Sequence, residues 1–351
     1  MRPLMLVREA GERRISRPME RSTEPRAPND ASKVELDAGY RLLSEEAGYL
    51  RRDTLGAVEV SGPDAIEFLQ GQLTNDLEGL EQGACLYAAL LDRKAHIVAD
   101  CRVLLLDPER LLLVAEVPAA QALAKHLETY RIGRNVEVAD RSDDIAVISV
   151  IGPATRTFLE APSVGREDSH AGISVDGIEC TVLGTPEGAD LICNSGDRAR
   201  LLSALKAKGL VEVPEAAAEI LRVEAGRPRF GLELDQSVMP AEVGIVERAI
   251  DFEKGCYLGQ EPVARLHYKG RPNRLLRGLK LSSPVERGDL ISGQGRELGK
   301  ISTACVSPAL GPIALAVIRR EAEPGATVVL GGDEVSAEVV ELPMRKKEDL
   351  H

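Results

Sequence analysis

"EKGCYLGQEPVARLHYKGR", residues 253–271, holds a single cysteine, Cys256, between Gly255 and Tyr257. Gly259, Gln260 and Glu261 follow, and then Arg265, His267, Lys269 and Arg271. A glycine on each side of Cys256-Tyr257-Leu258 frees the backbone to turn sharply, so the stretch reads as a crowded polar loop. Lys254 stands two residues before the thiol. A nearby cation lowers a thiol pKa and raises its thiolate fraction. No His and Asp partners can be assigned by spacing. From these residues alone Cys256 is either a reactive thiol or part of a loop that packs against a neighbouring domain.

Working back along the chain, "PEAAAEILRVEAGRPRFG" (214–231) reads as a helix. Ala217, Ile220, Leu221 and Glu224 fall on one face of it, and Arg222 points elsewhere, toward Ala218 and Glu219. The carboxylate of Glu224 therefore lies on the apolar stripe, where it must be neutral, paired or bound to something. A structural ion pair and a polar anchor at a ligand pocket both satisfy that demand. Further back, "LTNDLEGLEQGACLYAALLDRKAHIVAD" (73–100) carries Asn75, Asp76, Asp92 and Asp100. The first three fit ordinary turn chemistry. Asp100 follows Ile97-Val98-Ala99 inside a strand-like run, where aspartate is disfavoured without a role or a partner.

The rest of the pattern alternates strand and helix up to about residue 270. "LGAVEVSG" reads as a strand and "GPDAIEFLQGQLTNDLEGL" as a helix followed by a turn. "CLYAALLDRKAHIVADCRVLLLDPERLLLVAE" (85–116) reads as three strands, and "PAAQALAKHLETYRIG" as a helix. "DIAVISVIG" is apolar enough to be central in a sheet. "ISVDGIECTVLG" and "ADLICNS" are strands, and "DRARLLSALKAKG" is a helix. After about 275 only short strands with Gly and Pro turns remain, which suits a small barrel or sandwich. Residues 1–36 and 344–351 read as a disordered extension and a charged tail.

Bulk composition narrows the function classes. The net charge of -12 discourages non-specific nucleic-acid binding. Four Phe, six Tyr and no Trp leave few platforms for stacking bases. The cysteines at 85, 101, 180, 193, 256 and 305 form no CxxC pair and suit neither a disulfide framework nor a zinc site. A reducing cytoplasmic location is expected, with no apolar run long enough to span a bilayer.

"KGCYLGQE" (254–261) resembles the signature of the YgfZ family of folate-binding proteins, which is related to the glycine cleavage T-protein, an aminomethyltransferase. "FLQGQLTNDL" (68–77), "LRVEAGRPRFGLEL" (221–234) and "MPAEVG" (239–244) resemble further family segments in the same order. The Arg-x-Glu-Ala-Gly stretch is shared with the T-protein. The likeness runs from about 38 to 342. It implies an α+β fold: a T-protein-like ring of two α+β lobes, 37–140 and 141–272, followed by a β-barrel at 273–343.

The resemblance also implies a tetrahydrofolate site, with a one-carbon derivative as an alternative ligand and no stably bound metal. Carried over by position, Asp100 faces the folate N5/N10 region, with Arg222 and Glu224 beside the pterin and benzoyl parts. Asn75, Tyr257, Gln260 and Glu261 join the cofactor-binding set. Cys256 and Lys254 are the candidate catalytic pair.

Family members support assembly or repair of iron–sulfur enzymes, some of which modify tRNA. The expected partners are folate and such client enzymes. Direct tRNA binding is disfavoured by charge, and a monomer is expected. An aminomethyltransferase of the T-protein class, a non-catalytic scaffold and a tRNA-binding protein are the competing readings. One departure stands out: Ala95 and His96 replace the family's usual Gly-Arg. Alanine is tolerable there only if the backbone does not need positive φ.

Overall fold

A computed structural model describes residues 32–331 and 334–345. Most of the expected N-terminal extension (1–31) and of the charged tail (346–351) lies outside the described residues. Two layers of sheet and a closed barrel make up the described chain.

The first sheet holds β2 (Leu55–Ser61), β3 (Cys85–Leu91), β4 (Ile97–Asp107), β5 (Arg110–Glu116) and β6 (Glu137–Asp140) in the order β3-β4-β5-β2-β6. Its outer face is covered by α2 (Ala65–Gln70) and α3 (Val117–Tyr130), which bury Phe68, Leu69, Leu123 and Leu127 against Val58, Val103 and Leu113. Pro118 opens α3, where its missing N–H costs nothing. The second sheet runs β11-β1-β7-β10-β9-β8. Its strands are β1 (Gly48–Arg51), β7 (Ile145–Ile151), β8 (His170–Val175), β9 (Ile178–Thr185), β10 (Gly188–Asn194) and β11 (Val211–Glu212). The helices α4 (Thr155–Leu159) and α5 (Arg198–Ala207) contribute Leu159, Leu201 and Leu205 to the core on its outer face. The inner faces of the two sheets meet through Leu104, Leu106, Leu112 and Val114 on one side and Ile145, Val147, Leu183 and Ile192 on the other.

Three local readings are corrected. The segment 32–36 starts a helix, α1 (Lys33–Glu45), and is not part of an extension. Ser32 and Glu35 form a reciprocal capping box: Ser32 Oγ accepts from Glu35 N at 3.3 Å and Glu35 Oε2 from Ser32 N at 2.9 Å. Both α1 and β1 belong with the second lobe, so the 37–140 boundary fails at its start. Strand β1 pairs with β7 and β11, and α1 packs on α6 (Glu215–Glu224) through Leu43, Val213 and Ala217. "ISVDGIECTVLG" is not one strand but the β8–β9 hairpin. Asp176 and Gly177 take φ +51° and +73°, the positive-φ pair of a tight hairpin turn.

Beyond α6 come α7 (Val246–Ala249) and α8 (Gln260–Lys269), then the barrel. The barrel strands are β12 (Arg274–Leu281), β13 (Leu290–Gly293), β14 (Arg296–Ser307), β15 (Gly311–Arg319), β16 (Thr327–Leu330) and β17 (Val335–Val340). They close in the order β12-β15-β14-β13-β16-β17. Closure leaves no edge strand, and Leu279, Ile301, Ile318 and Val339 fill the interior. The α+β lobes and terminal barrel expected from the sequence are therefore present. The barrel is fastened to α6 through Val223, Leu276, Ile313 and Leu315.

Candidate active site

Strand β4 alternates buried and half-buried residues from Ile97 to Val103. Ala99, Cys101 and Val103 turn to the helix-covered core. Asp100 and Arg102 therefore turn the other way, toward the second sheet. Further along this same face, Leu104 and Leu106 close the gap between the sheets with apolar contact. Arg102 reaches across to the carbonyls of Glu167 and Gly184, the latter at 2.9 Å. Asp100 sits one step beyond this bridge, where the apolar seal has ended.

Its carboxylate is anchored on one side only. Tyr87 Oη donates to Asp100 Oδ2 at 2.8 Å. The other oxygen, Oδ1, is shut off from solvent and has no hydrogen-bond partner. Burial pushes the Asp100 pKa up to about 6, with the Tyr87 bond pulling the other way; Glu116 raises it further and Arg248 lowers it. Burial also drives Tyr87 well above its ordinary range, so its phenol stays a donor. The guanidinium of Arg248 lies 4.6 Å from the centroid of the Tyr87 ring, a cation–π distance. Arg248 also lies 3.8 Å from Glu167, whose carboxylate takes Arg227 at 2.7 Å. A buried acceptor, an aromatic ring and a cation thus converge where the two sheets part.

Asn75 supports this cluster from behind. Its Nδ2 donates to the carbonyls of Tyr87 (2.9 Å) and Arg248 (3.1 Å), and its Oδ1 accepts from Asp76 N. Its side chain is spent on fixing the two elements that carry Tyr87 and Arg248. Lys254 works similarly. Its ammonium donates to the carbonyls of Gln70 (2.9 Å), Leu73 (2.7 Å) and Asn75 (2.7 Å). An ammonium has three donors, so none is left for the neighbouring thiol. All three donors pin the loop to the first lobe, and any influence of Lys254 on Cys256 acts through its charge. Its pKa is pushed down to about 8 by burial.

Cys256 itself is exposed. Tyr257 is buried beneath it, with Lys254 Nζ 5.4 Å from its ring centroid, and burial pushes its phenol up to about 12. The residues after it are not the polar loop expected but α8, entered from Gly259 at φ +83°. Pro262 falls in the first turn, and Val263 and Leu266 give the inward face. A Cβ on Gly259 would lie 2.5 Å from the carbonyl of Asp92, so glycine is required twice over. Gln260 Nε2 lies 3.5 Å from the Gly255 carbonyl, and Glu261 is exposed. The β3–β4 turn under Gly259 contains Ala95, which does take positive φ (+65°). The substitution of glycine there therefore carries backbone strain of about 1–2 kcal/mol.

Glu224 and Arg222 sit in a separate network. Glu224 is 2% exposed. Its carboxylate accepts from Tyr40 Oη at 2.9 Å and from Ser307 Oγ, and lies 3.7 Å from Arg345. Arg222 is held by Glu219 (2.7 Å), Glu233 (2.9 Å) and Thr303 (3.2 Å). These contacts tie α6 to α1, the barrel and the C-terminal segment. Among the described residues, no hydrogen bond or ion pair joins either side chain to Asp100. A cleft of ≈ 1100 Å³ lies between α1, α6 and the barrel, lined by Gly39, Val213, Glu215, Glu286 and Thr303 among others. Neither Asp100 nor Cys256 lines it. Among the described residues no cluster of His, Cys, Asp and Glu could hold a metal ion, and no helix is long and apolar enough to cross a membrane.

Tyr87, Arg248, Arg227 and Glu167 were not picked out from the sequence. Tyr87 carried a usable signal, as one of few aromatics and inside an otherwise aliphatic strand. The arginines carried none, being two among many.

Known proteins resemble this chain over most of its length. Residues 29–254 match the GCVT N-terminal domain, and residues 274–346 match the glycine cleavage T-protein C-terminal barrel domain. An aminomethyltransferase of Symbiobacterium thermophilum is 28% identical over 337 residues, covering 87% of this chain and 88% of that protein. The aminomethyltransferase of Bacillus subtilis is 27% identical over 331 residues, covering 88% and 90%. Among solved structures, the glycine cleavage aminomethyltransferase T of Bartonella henselae superimposes with a TM-score of 0.78 at 23% identity, covering 88% of this chain and 89% of that one.

Proposed function

This chain belongs to the glycine cleavage T-protein (GCVT) family, and we propose that it binds tetrahydrofolate at the Asp100–Tyr87–Arg248 cluster as a folate-dependent aminomethyltransferase-class protein. The observation that carries the reading is Asp100 Oδ1, a buried acceptor without a donor. A reduced pterin and its bridge present N–H donors, so the ligand supplies what the site lacks. When bound, tetrahydrofolate supplies the secondary nitrogens that carry a one-carbon unit.

The chain's own part is positioning and proton handling. Tyr87 fixes the Asp100 carboxylate through Oδ2 and leaves Oδ1 to face the ligand. With its pKa raised to about 6, Asp100 is ionised at neutral pH and still basic enough to take a proton. Arg248, over the Tyr87 ring, and Arg227, paired with Glu167, bring guanidinium groups that an anionic part of the ligand can use. The apolar contact of Leu104 and Leu106 with the second sheet excludes water beyond the site.

A second reading is supported by the Cys256 loop. An exposed thiol, set on a loop that Lys254 and Gly259 hold rigid, suits thiol chemistry on another protein. It supports an accessory role for client iron–sulfur enzymes, with folate bound at the same Asp100 site. Calorimetric titration of tetrahydrofolate under reducing conditions tests the shared part. Saturable binding, weakened at least tenfold in Asp100→Asn, is expected; no binding by the folded wild type sinks both readings. Formation of methylenetetrahydrofolate from an aminomethylated carrier protein then selects the transferase. Loss of client activity in Cys256→Ser, with that transfer absent, selects the accessory role.

A further inference from the structure

Two cysteines outside the folate cluster face each other across the second sheet. Strands β9 and β10 pair antiparallel, with Gly188 opposite Thr185 and Ile192 opposite Thr181. One more step of this register sets Cys193 opposite Cys180. Both side chains enter the same buried core, beside Leu191, Val182 and Leu201. Residues opposite each other in an antiparallel pair alternate between hydrogen-bonded and non-hydrogen-bonded types, and the type fixes how close they come.

The type can be assigned from both strands. Gly184 N donates to Ser169 O, next to β8, at 3.1 Å. The even-numbered residues of β9, Cys180 among them, therefore aim their backbone bonds at β8 and away from β10. Ser195 N donates to Asp144 O, next to β7, at 2.8 Å. The odd-numbered residues of β10, Cys193 among them, therefore aim theirs at β7 and away from β9. Cys180 and Cys193 thus form a non-hydrogen-bonded pair, the type whose Cα atoms approach to about 4.5 Å. That spacing lies within the range of about 4.4–6.8 Å that a disulfide spans, so closure asks for no strand movement. The Cys180 thiol donates to the carbonyl of Ile178 at 3.6 Å. The two sulfurs are close enough to shift each other, Cys193 raising Cys180 and Cys180 lowering Cys193.

We propose that Cys180 and Cys193 are an oxidation site: a dithiol that a small peroxide converts reversibly to a cross-strand disulfide. This inference rests on sheet register and is independent of the folate reading. The Cys193 sulfur, as thiolate, attacks one peroxide oxygen. The O–O bond breaks, and hydroxide leaves with the proton lost from Cys193 as water. The Cys180 sulfur then attacks the resulting sulfenic sulfur. A second hydroxide leaves and takes the Cys180 proton as water. Two thiols give up two electrons, hydrogen peroxide accepts them, and the products are one disulfide and two waters. A thiol reductant reverses the change by exchange.

Cys101 provides an internal control, because it is equally buried but stands opposite Ala88. The test exposes the full chain to hydrogen peroxide, blocks remaining thiols after unfolding, and maps peptides without reduction. The expected result is a peptide linking Cys180 to Cys193, lighter by two hydrogens. It should accumulate while Cys101 stays free and near-ultraviolet circular dichroism stays native, and dithiothreitol should abolish it. Complete blocking of Cys180 and Cys193 at doses that oxidise the exposed Cys256 would overturn the proposal. So would linkage that appears only after the native dichroism is lost.

Discussion

Tyr87 and Asp100 stand on neighbouring antiparallel strands, and the phenol donates to one carboxylate oxygen at 2.8 Å while the other oxygen is left buried without a donor. Register explains the arrangement. Ala89 is the residue directly opposite Asp100, and Arg102 is directly opposite Tyr87. Tyr87 therefore reaches Asp100 on the diagonal, a span that a long aromatic side chain covers. The small side chain of Ala89 leaves the space.

The pH dependence of stability follows from that burial. The folded Asp100 pKa, about 6, lies above its ordinary 3.8. Between those values the folded chain binds more protons than the unfolded one, so stability falls as pH rises through the window. The loss amounts to at most about 3 kcal/mol, complete above pH 6. Asp100→Asn should remove it. Urea unfolding from pH 4 to pH 7.5 is the check: the variant should gain on the wild type as pH rises. Parallel curves would show that Asp100 does not titrate in this range.

Tyr87→Phe removes the side-chain donor that favours the charged carboxylate. The Asp100 pKa should climb further, because the Tyr87 bond is the largest of the influences that hold it down. Tetrahydrofolate binding that needs the carboxylate should then lose its acid limb at a higher pH than in the wild type. Titrations at several pH values separate this from a simple packing defect, which would lower affinity equally at all of them.

What the sequence disclosed, and what it hid, divides along a physical line. Asp100 and Glu224 were both legible as misplaced carboxylates, because a charge in an apolar run announces a cost. Their partners were not legible. Tyr87 meets Asp100 only through the β3–β4 register, which shifts at a bulge near Leu91. Tyr40, Ser307 and Arg345 reach Glu224 from residues far apart in the chain. The α1 start was readable and missed: Ser32-x-x-Glu35 is a capping-box pattern. The placement of β1 in the second sheet was not, since strand partners across some hundred residues leave no local trace.

Glu224→Gln tests whether this carboxylate is a fastener or a ligand contact. Its loss of charge leaves Arg345 facing a neutral amide and disturbs the Tyr40 and Ser307 bonds. A stability loss of about 2–4 kcal/mol is expected from breaking a buried, bonded charge. Tetrahydrofolate affinity of the folded variant should stay within threefold of the wild type. A tenfold loss of affinity without a stability change would place Glu224 at the ligand instead.

Lys254→Met tests the loop that carries Cys256. The replacement fills similar volume but leaves the carbonyls of Gln70, Leu73 and Asn75 without their donor. A loss of about 3 kcal/mol is expected, as acceptors paired to a charged group are left unpaired. Because Lys254 holds the loop and does not touch the thiol, Cys256 should alkylate faster as the loop loosens. Were Lys254 the group that sustains a reactive thiolate, alkylation at neutral pH would instead slow. The rate of Cys256 modification, measured on folded protein at fixed pH, decides between the two by its sign.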